Sequence, residues 1–332
     1  MKKLFFSLVA AIVAATATFA QSTLVATLTH GDNVSMYYGI YALSEAHAAA
    51  VSGDVINLSG GVFRYIDIRK AVTIRGTGID DANPTKITGD FIIELSNSET
   101  ERLLIEGIHC PGKITFRGTF SNPYFVKCKL NTFAFQSTSV KNATFINCKI
   151  TGNSYQLPAN SSAQFINSYV AGFSNNNETT STASFVNCIV RPYNDHNVTT
   201  IRSSQLINCI IFNSTTLASG SLPTSTIATN CVAINCNNIY NNSQINSGSK
   251  EATFEEVFKE FSGVYDDYHT FELTESAKSS YLGNDGTEVG WFGGAMPYTS
   301  TPSYPQITKM NVANKVTADG KLSVEIEVSA AQ

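Results

Sequence analysis

The sequence predicts an all-β fold in which short strands wind into about nine stacked coils, a single-stranded parallel β-helix. The first observation is a six-residue phrase: an apolar pair, then Asn or Lys, then Cys or Ser, then two more residues. Its clearest copies occupy residues 125–130, 145–150, 165–170, 185–190 and 206–211. A fixed period of about twenty residues indicates stacked units that cannot bury their apolar faces alone. The second observation is that the phrase is rich in β-branched and aromatic residues without helical spacing, which favours strands.

The first twenty residues have the pattern of a signal peptide. Lys2 and Lys3 precede an apolar stretch at residues 4–15, and small residues at 18–20 offer a cleavage site before Gln21. A stretch of this length is short for a transmembrane helix; a retained signal anchor is the alternative. We therefore expect an exported protein, periplasmic, at the outer surface or extracellular, whose mature chain has no transmembrane segment.

Residues 21–53 are predicted to cap the first coil. The Ala-rich stretch 44–51 predicts a short helix with Ser44 as its N-cap and Gly53 near its end. We expect a cap because the first coil otherwise exposes an apolar end and unpaired strand edges.

Residues 54–250 are predicted to form the β-helix itself. Strand-like segments before the clear repeats occupy residues 54–58, 63–68, 71–74, 86–88, 91–95 and 102–105. Gly- and Pro-containing turn signals separate them. A looser copy of the phrase ends at Cys231, and counting from residue 55 to residue 245 at this period gives about nine coils.

Within each phrase, the third residue is predicted to interrupt the alternation of inward and outward side chains. Phe145 and Cys148 share an inward direction only if the chain turns at the residue between Ile146 and Cys148. Asn tolerates the left-handed conformation better than most residues. We therefore expect one stacked turn whose amides hydrogen-bond from coil to coil, formed by Asn147, Asn167, Asn187 and Asn208. A register with Asn inside a strand is the alternative.

All seven cysteines follow the predicted signal peptide, and an odd number leaves at least one unpaired. Four share one repeat position: Cys128, Cys148, Cys188 and Cys209. We expect them to stack as buried thiols, because a free cysteine behaves as a small apolar residue. Disulfides between coils are the alternative, although parallel side-chain directions disfavour the required geometry. The disulfide state of Cys231 and Cys236 stays open at this point.

The C-terminal part has a different character. Residues 251–297 are acidic and are predicted to close the β-helix, beginning with an amphipathic helix at 251–261 that lies across the side or end of the stack. Residues 298–332 are predicted to form a Pro/Ser/Thr-rich linker and a hairpin, whose strands lie within residues 306–316 and 322–328.

Several of these stretches resemble a known family. Residues 53–58, 60–63 and 72–78 resemble the opening of right-handed parallel β-helix proteins with the pectin-lyase-like fold, and the Asn-Cys repeats resemble their later coils. Residues 281–294 are similar to the end of such helices in exported proteins of Bacteroidetes. The resemblance covers most of residues 44–297. It implies a right-handed β-helix but no single activity, because this fold hosts lyases, hydrolases and adhesins.

Charge argues against two classes of function. The net charge is −4 and no Lys/Arg-rich block is present, so nucleic acid is not an expected partner. Between Glu106 and Glu251 the only acids are Glu178 and Asp195. A glycoside hydrolase needs paired carboxylates, and the resemblance implies a Ca²⁺ site with several acids for a lyase. This shortage of acids is the main argument against catalysis.

The best local candidate for catalysis is the polar loop 191–196. There Arg191, Asp195 and His196 bring a cation, an acid and a base together. A solvated turn in which Asp195 caps backbone donors is the alternative.

A calcium site is the second candidate. Asp80, Asp81 and Asp90 would approach one another across successive coils and offer carboxylate oxygens to Ca²⁺, while an exposed turn is the alternative. No other cofactor is expected, and the absence of a CxxC pair or clustered histidines argues against zinc.

Binding is easier to support than turnover. The sides of a β-helix are long and polar, which suits extended glycans, and four tyrosines offer aromatic platforms: Tyr124, Tyr155, Tyr169 and Tyr193. We therefore expect an exported, non-catalytic protein that binds a polysaccharide or another cell-surface ligand. The alternatives are a polysaccharide lyase or glycoside hydrolase, and a structural component of a surface assembly. The oligomeric state stays open.

Overall fold

The computed structural model describes residues 24–80, 83–95, 102–136, 139–152, 155–175, 180–192, 200–213, 218–219, 222–237, 246–266, 269–312, 319–321 and 323–329. The predicted signal peptide lies outside these residues. No helix within them has the length and apolar character needed to cross a membrane.

The described residues form many short strands and three helices. In chain order the strands are β1 (Val25–His30), β2 (Asn33–Tyr38), β3 (Val55–Leu58), β4 (Gly61–Arg64), β5 (Thr73–Arg75), β6 (Thr85–Thr88), β7 (Phe91–Ile93), β8 (Leu104–Glu106), β9 (His109–Arg117), β10 (Phe120–Ser121), β11 (Tyr124–Val126), β12 (Lys129–Gln136), β13 (Val140–Lys141), β14 (Ala143–Ile146), β15 (Lys149–Ile150), β16 (Tyr155–Gln156), β17 (Ser162–Ile166), β18 (Tyr169–Ser174), β19 (Thr182–Val186), β20 (Ile189–Pro192), β21 (Ser204–Ile207), β22 (Ile210–Phe212), β23 (Ala218–Ser219), β24 (Ile227–Thr229), β25 (Val232–Ile234), β26 (Cys236–Asn237), β27 (Asn246–Ser247), β28 (Lys250–Ala252), β29 (Gln306–Val312) and β30 (Val324–Ser329). The helices are α1 (Ala42–Ala49), α2 (Phe254–Val257) and α3 (Glu275–Ser280).

The chain winds into a parallel β-solenoid of about eight turns. One long sheet, sheet A, has the strand order β2-β1-β3-β5-β8-β11-β14-β17-β19-β21-β24-β27. The other, sheet B, has the order β28-β25-β22-β20-β18-β15-β12-β9-β6-β4. From β3 onward, successive strands of sheet A are parallel and in register, so that Phe145 lies opposite Phe125 and Phe165. The N-terminal end of sheet A is antiparallel, because β1 pairs with both β2 and β3 in that sense.

Each repeat phrase passes from sheet A to sheet B through a left-handed turn at its third residue. The turn residues Asn147, Asn167, Asn187 and Asn208 have φ angles of 53°, 44°, 51° and 55°. Coil-to-coil hydrogen bonds at this turn come from the backbone; the N–H of Asn147, for example, donates to the carbonyl of Ile166 at 3.0 Å. The side-chain amide of Asn167 donates instead to carbonyls of the C-terminal segment, at 2.7 and 2.8 Å. Strand backbones already satisfy one another, which leaves this amide available for a third element.

Like side chains repeat along the interior of the solenoid. The rings of Phe125, Phe145, Phe165 and Phe185 stack with centroids 4.8–5.0 Å apart and planes tilted by 8–10°. Against them, Cys128, Cys148, Cys188 and Cys209 hold equivalent positions and are fully buried. Each of these four thiols donates to the carbonyl two residues earlier, at 3.2–3.4 Å. All seven cysteines are buried free thiols, including Cys231 and Cys236.

Helix α1 begins earlier than the sequence predicts. Its N-cap is Tyr41, whose side chain makes no capping hydrogen bond, so Ser44 lies inside the first turn and is not the N-cap. Ala42 and Leu43 are fully buried. Burial of the first turn, rather than a side-chain cap, therefore sets where this helix starts.

Residues 253–304, where described, form a segment that we call the C-terminal strap. Thr253 and Glu256 make a capping box, with the N–H of Thr253 2.8 Å from Glu256 Oε2. The predicted helix 251–261 is much shorter than expected: α2 ends at Val257, and Phe258 is extended and bridges to Leu273. Phe258 is still buried, because it packs in an apolar cluster with residues of sheet B.

The strap covers much of the outer face of sheet B. Side chains of sheet B and of the strap form one apolar cluster on this face. Its sheet residues include Tyr169, Ile189, Ile210, Phe212 and Val232. Strap residues in it include Phe254, Val257, Phe261, Phe271 and Trp291. The strap then follows the Asn turn, where Asn208 and Asn284 exchange two hydrogen bonds of 3.0 Å.

The stretch predicted as a linker contacts the solenoid. Lys127 Nζ donates to the carbonyl of Thr301 at 2.5 Å, and Ser303 donates to the carboxylate of Glu106 through both its backbone and its hydroxyl. Beyond it, β29 and β30 pair antiparallel.

Candidate ligand-binding groove

The outer face of sheet A carries a row of mainly polar side chains in register. One residue per coil, immediately before the inward Phe or its equivalent, contributes to this row: Tyr124, Thr144, Gln164, Ser184, Gln205 and Ile227. The strand alternation places these side chains outward because their neighbours fill the core. Gln164 and Gln205 are exposed, whereas Thr144 is buried.

A second polar row lies two residues earlier in each coil. It consists of Asn122, Asn142, Ser162, Thr182, Ser203 and Ser225. Asn142 links three coils: its Nδ2 donates to Asn122 Oδ1 at 3.2 Å, and its Oδ1 accepts from Ser162 Oγ at 3.2 Å. Farther along, the N–H of Ser203 donates to Ser225 Oγ at 3.1 Å. These bonds hold the side chains of Asn122, Asn142, Ser162 and Ser225 in place before any ligand arrives.

The two rows line a shallow groove of about 780 Å³ that crosses six coils. At a strand spacing of about 4.8 Å, six coils correspond to a length of about 24 Å. At one end the guanidinium of Arg102 lies 4.4 Å from the ring centroid of Tyr124. The described lining is uncharged and consists of hydroxyls, amides, two alanines, the ring of Tyr124 and the side chain of Ile227.

This lining is suited to hydrogen bonding rather than to acid–base chemistry. Ser, Thr, Asn and Gln side chains each both donate and accept hydrogen bonds. General acid–base hydrolysis of a glycosidic bond requires carboxylates, and no acid is among the described lining residues. The groove therefore offers repeated, neutral hydrogen-bonding positions at the spacing of the coils.

The predicted aromatic platforms are scattered rather than gathered. Tyr124 lies in the groove. Tyr169 does not form an exposed platform: it is fully buried under the strap, with its ring 4.7 Å from Tyr265 and 5.1 Å from Phe271. Tyr155 belongs to β16 of sheet B, and Tyr193 lies outside the described residues. Packing of the strap explains the burial of Tyr169. The repeat pattern does not predict it, because the covering residues lie far away in the sequence.

The predicted catalytic loop is described only at its start. Arg191 is half-buried in β20, opposite Ala171. Asp195 and His196 lie outside the described residues, so the structure neither assembles nor separates the three.

The predicted calcium ligands have separate partners. Asp80 pairs with Lys149 at 3.3 Å, and Asp90 accepts from the N–H of Lys113 at 2.8 Å. Asp81 lies outside the described residues. Within the described part of the chain, no three His, Cys, Asp or Glu side chains are grouped as metal ligands.

Five of the seven cysteines have raised pKa values in the folded chain. Burial raises the pKa of Cys110, Cys148, Cys209 and Cys231 well above the ordinary value, and that of Cys236 to about 12. A thiol that stays protonated is a poor nucleophile and a poor metal ligand. These residues therefore serve packing in the folded protein.

Sequence reasoning missed the two rows that form the groove. The signal was present, because the positions one and three residues before each inward Phe or Leu are mostly polar in successive copies.

Comparison of the chain with protein-family models, with curated proteins and with solved structures finds no match. The structure therefore shows a parallel β-solenoid without assigning it to a family.

Proposed function

We propose that this is an exported, non-catalytic β-solenoid protein that binds an extended glycan along the groove of sheet A. The observation that carries the proposal is the groove itself, which repeats neutral hydroxyl and amide side chains over six successive coils. A polysaccharide repeats its hydroxyl groups along its length in the same manner. Pre-ordered side chains such as Asn142 lower the entropic cost of binding.

The finer points of the fold belong to the same proposal. We infer export from the signal-peptide pattern of residues 1–20, and a right-handed coil of the pectin-lyase-like type from the resemblance of residues 53–78. Helix α1, which contacts β1 and β2, is proposed to cap the first coil.

Binding is proposed in place of turnover because of the groove's chemistry. A lyase or hydrolase would need charged catalytic groups beside the ligand, and the described lining supplies none. The enzyme alternative therefore depends on Arg191, Asp195 and His196 or on the acids near Asp80, none of which is in that lining. Release of reducing or unsaturated sugar ends from a polysaccharide, lost in Asp195→Ala, would favour it.

The test is affinity electrophoresis of the mature chain in gels that contain neutral plant or bacterial polysaccharides, with acidic ones alongside. We expect retardation by at least one neutral polymer. The variant Gln164→Ala/Gln205→Ala removes two exposed amides of the groove and is expected to weaken retention several-fold. Gln136→Ala, an exposed amide in β12 of sheet B, is the matched control. Retention that is equal in both variants, or absent for every polymer, contradicts the proposal.

A further inference from the structure

A second, smaller cavity lies where the strap crosses the solenoid, apart from the residues that line the groove. It has a volume of about 380 Å³, within the range of small-ligand sites. Its walls include Asp80, Lys149, His269, Trp291, Phe292 and Tyr298. Charged, polar and aromatic groups thus meet around one open pocket.

Lys149 is the most unusual of these residues. Its side chain is only 8 % exposed, and its Nζ lies 3.3 and 3.4 Å from the two carboxylate oxygens of Asp80. The Nζ also lies 5.7 Å from the ring centroid of Tyr298. An ammonium group has three N–H donors and is costly to bury unless they are satisfied. In the row that contains Lys149, the following coils carry Tyr169 and Ile189, so a cation stands at the border of the apolar cover.

Aromatic rings form another wall. Trp291 stacks on Tyr298 with centroids 3.9 Å apart and planes tilted by 13°. The indole N–H of Trp291 donates to the carbonyl of Thr270, which fixes the ring. Phe292 is half-buried beside them and offers a more accessible face. Tyr298 Oη is buried without a hydrogen-bond partner among the described residues.

The polar groups include both donors and acceptors. His269 Nδ1 lies 3.2 Å from the backbone nitrogen of Asp266 and 3.5 Å from its Oδ1. Burial raises the pKa of Tyr298 far above its ordinary value, so its hydroxyl keeps its proton. Lys149 donates, and Asp80, which is 46 % exposed on its side chain, accepts.

This combination selects one class of ligand. A purely apolar molecule would leave the buried hydroxyl of Tyr298 without a partner. A simple anion would gain Lys149 but meet the carboxylate of Asp80. A sugar has hydroxyls that donate and accept, and an apolar ring face that packs on an aromatic side chain. We propose that the cavity binds one or two neutral sugar residues.

This proposal stands independently of the groove, and the protein carries its own probe. Trp291 is the only tryptophan in the chain, so its fluorescence reports the cavity alone. The mature protein is titrated with glucose, N-acetylglucosamine, cellobiose, glucuronate and inorganic phosphate. We expect a saturable change in Trp291 emission with at least one neutral sugar, and a weaker response to glucuronate and phosphate.

Two variants locate the response. Lys149→Met and Phe292→Ala are expected to weaken the apparent affinity at least tenfold. Lys129→Met is the matched control, because Lys129 holds the same position in the preceding coil and does not line the cavity. Gln164→Ala in the groove is expected to leave the titration unchanged, which separates this site from the proposed function. Circular dichroism melts show whether each variant is folded; if Lys149→Met is not, Phe292→Ala decides.

Three outcomes overturn the proposal. The first is the absence of any saturable response to the neutral sugars. The second is a stronger response to glucuronate or phosphate than to every neutral sugar. The third is an affinity that Phe292→Ala, shown to be folded, leaves equal to that of the Lys129→Met control.

Discussion

At the scale of single residues, the left-handed turn explains why the repeat phrase contains Asn. Each coil must change direction between sheet A and sheet B without widening the stack. A left-handed residue costs an ordinary L-amino acid about 1–2 kcal/mol, and Asn and Gly pay least. Asn is better than Gly here, because its amide also holds the strap, as Asn167 does with Trp291 and Gly293.

Asn167 allows these two roles to be separated. Asn167→Gly keeps the turn (φ 44°) but loses the amide bonds, whereas Asn167→Ala loses the bonds and adds backbone strain. We expect both variants to be less stable than the wild type, and Ala to be worse than Gly by about 1 kcal/mol. Urea unfolding measures the difference. An Ala variant as stable as the Gly variant would argue against strain at this turn.

His47 predicts a pH dependence. Burial, followed by the charge of Lys70, lowers its pKa from 6.5 to about 4. Between these values the unfolded chain binds a proton that the folded chain does not, so stability is complete above about pH 6.5 and falls as the pH drops toward 4. Urea midpoints between pH 7 and pH 5 should decline in the wild type and decline less in His47→Gln. Parallel declines would show that other groups are responsible.

At the scale of elements, the coil is the unit that the sequence predicts well and the strap is the unit that it predicts poorly. Inward Phe145, the turn at Asn147 and inward Cys148 follow from local alternation, which every coil repeats. Lys149 and Tyr169 occupy outer positions that the same logic marks as exposed, yet both are buried. A distant segment covers them, and alternation within a coil carries no information about that cover.

The cysteine column makes the coils testable by thiol chemistry. All seven thiols are buried, so a disulfide-exchange reagent is expected to modify none in the native state and seven in denaturant without added reductant. Any slow modification in the native state should proceed at the rate at which the coils open and expose the thiols. Fewer than seven reactive thiols in denaturant, restored to seven by reductant, would reveal a disulfide and contradict the stack of free thiols.

At the scale of the whole molecule, the outer faces of the two long sheets differ in polarity. Sheet A keeps a polar outer face with a groove, and sheet B has an apolar outer face under the strap. The sequence predicted the stack and a polar, acid-poor side. It did not predict which side, because that depends on where the strap docks. Sheet B is the covered sheet because Tyr169, Ile189 and Phe212 make its outer face apolar, and exposing that face to water would be unfavourable.

Truncation tests this division. A chain that ends at Ala252 lacks the strap and uncovers the apolar face of sheet B, whereas a chain that ends at Tyr304 keeps the strap and lacks residues 305–332, which include β29 and β30. Fully burying one large apolar side chain contributes about 1.5–3 kcal/mol. We therefore expect the shorter chain to bind an apolar fluorescent dye, to aggregate and to melt at a much lower temperature, and the longer one to resemble the chain with its C-terminus intact. A shorter chain that stays monomeric, dye-free and equally stable would mean that the solenoid does not need its cover. In that event removal of the strap would not lower the stability of the solenoid. The strap would then be explained only by its role in ligand binding, as the outer wall of the cavity beside Lys149.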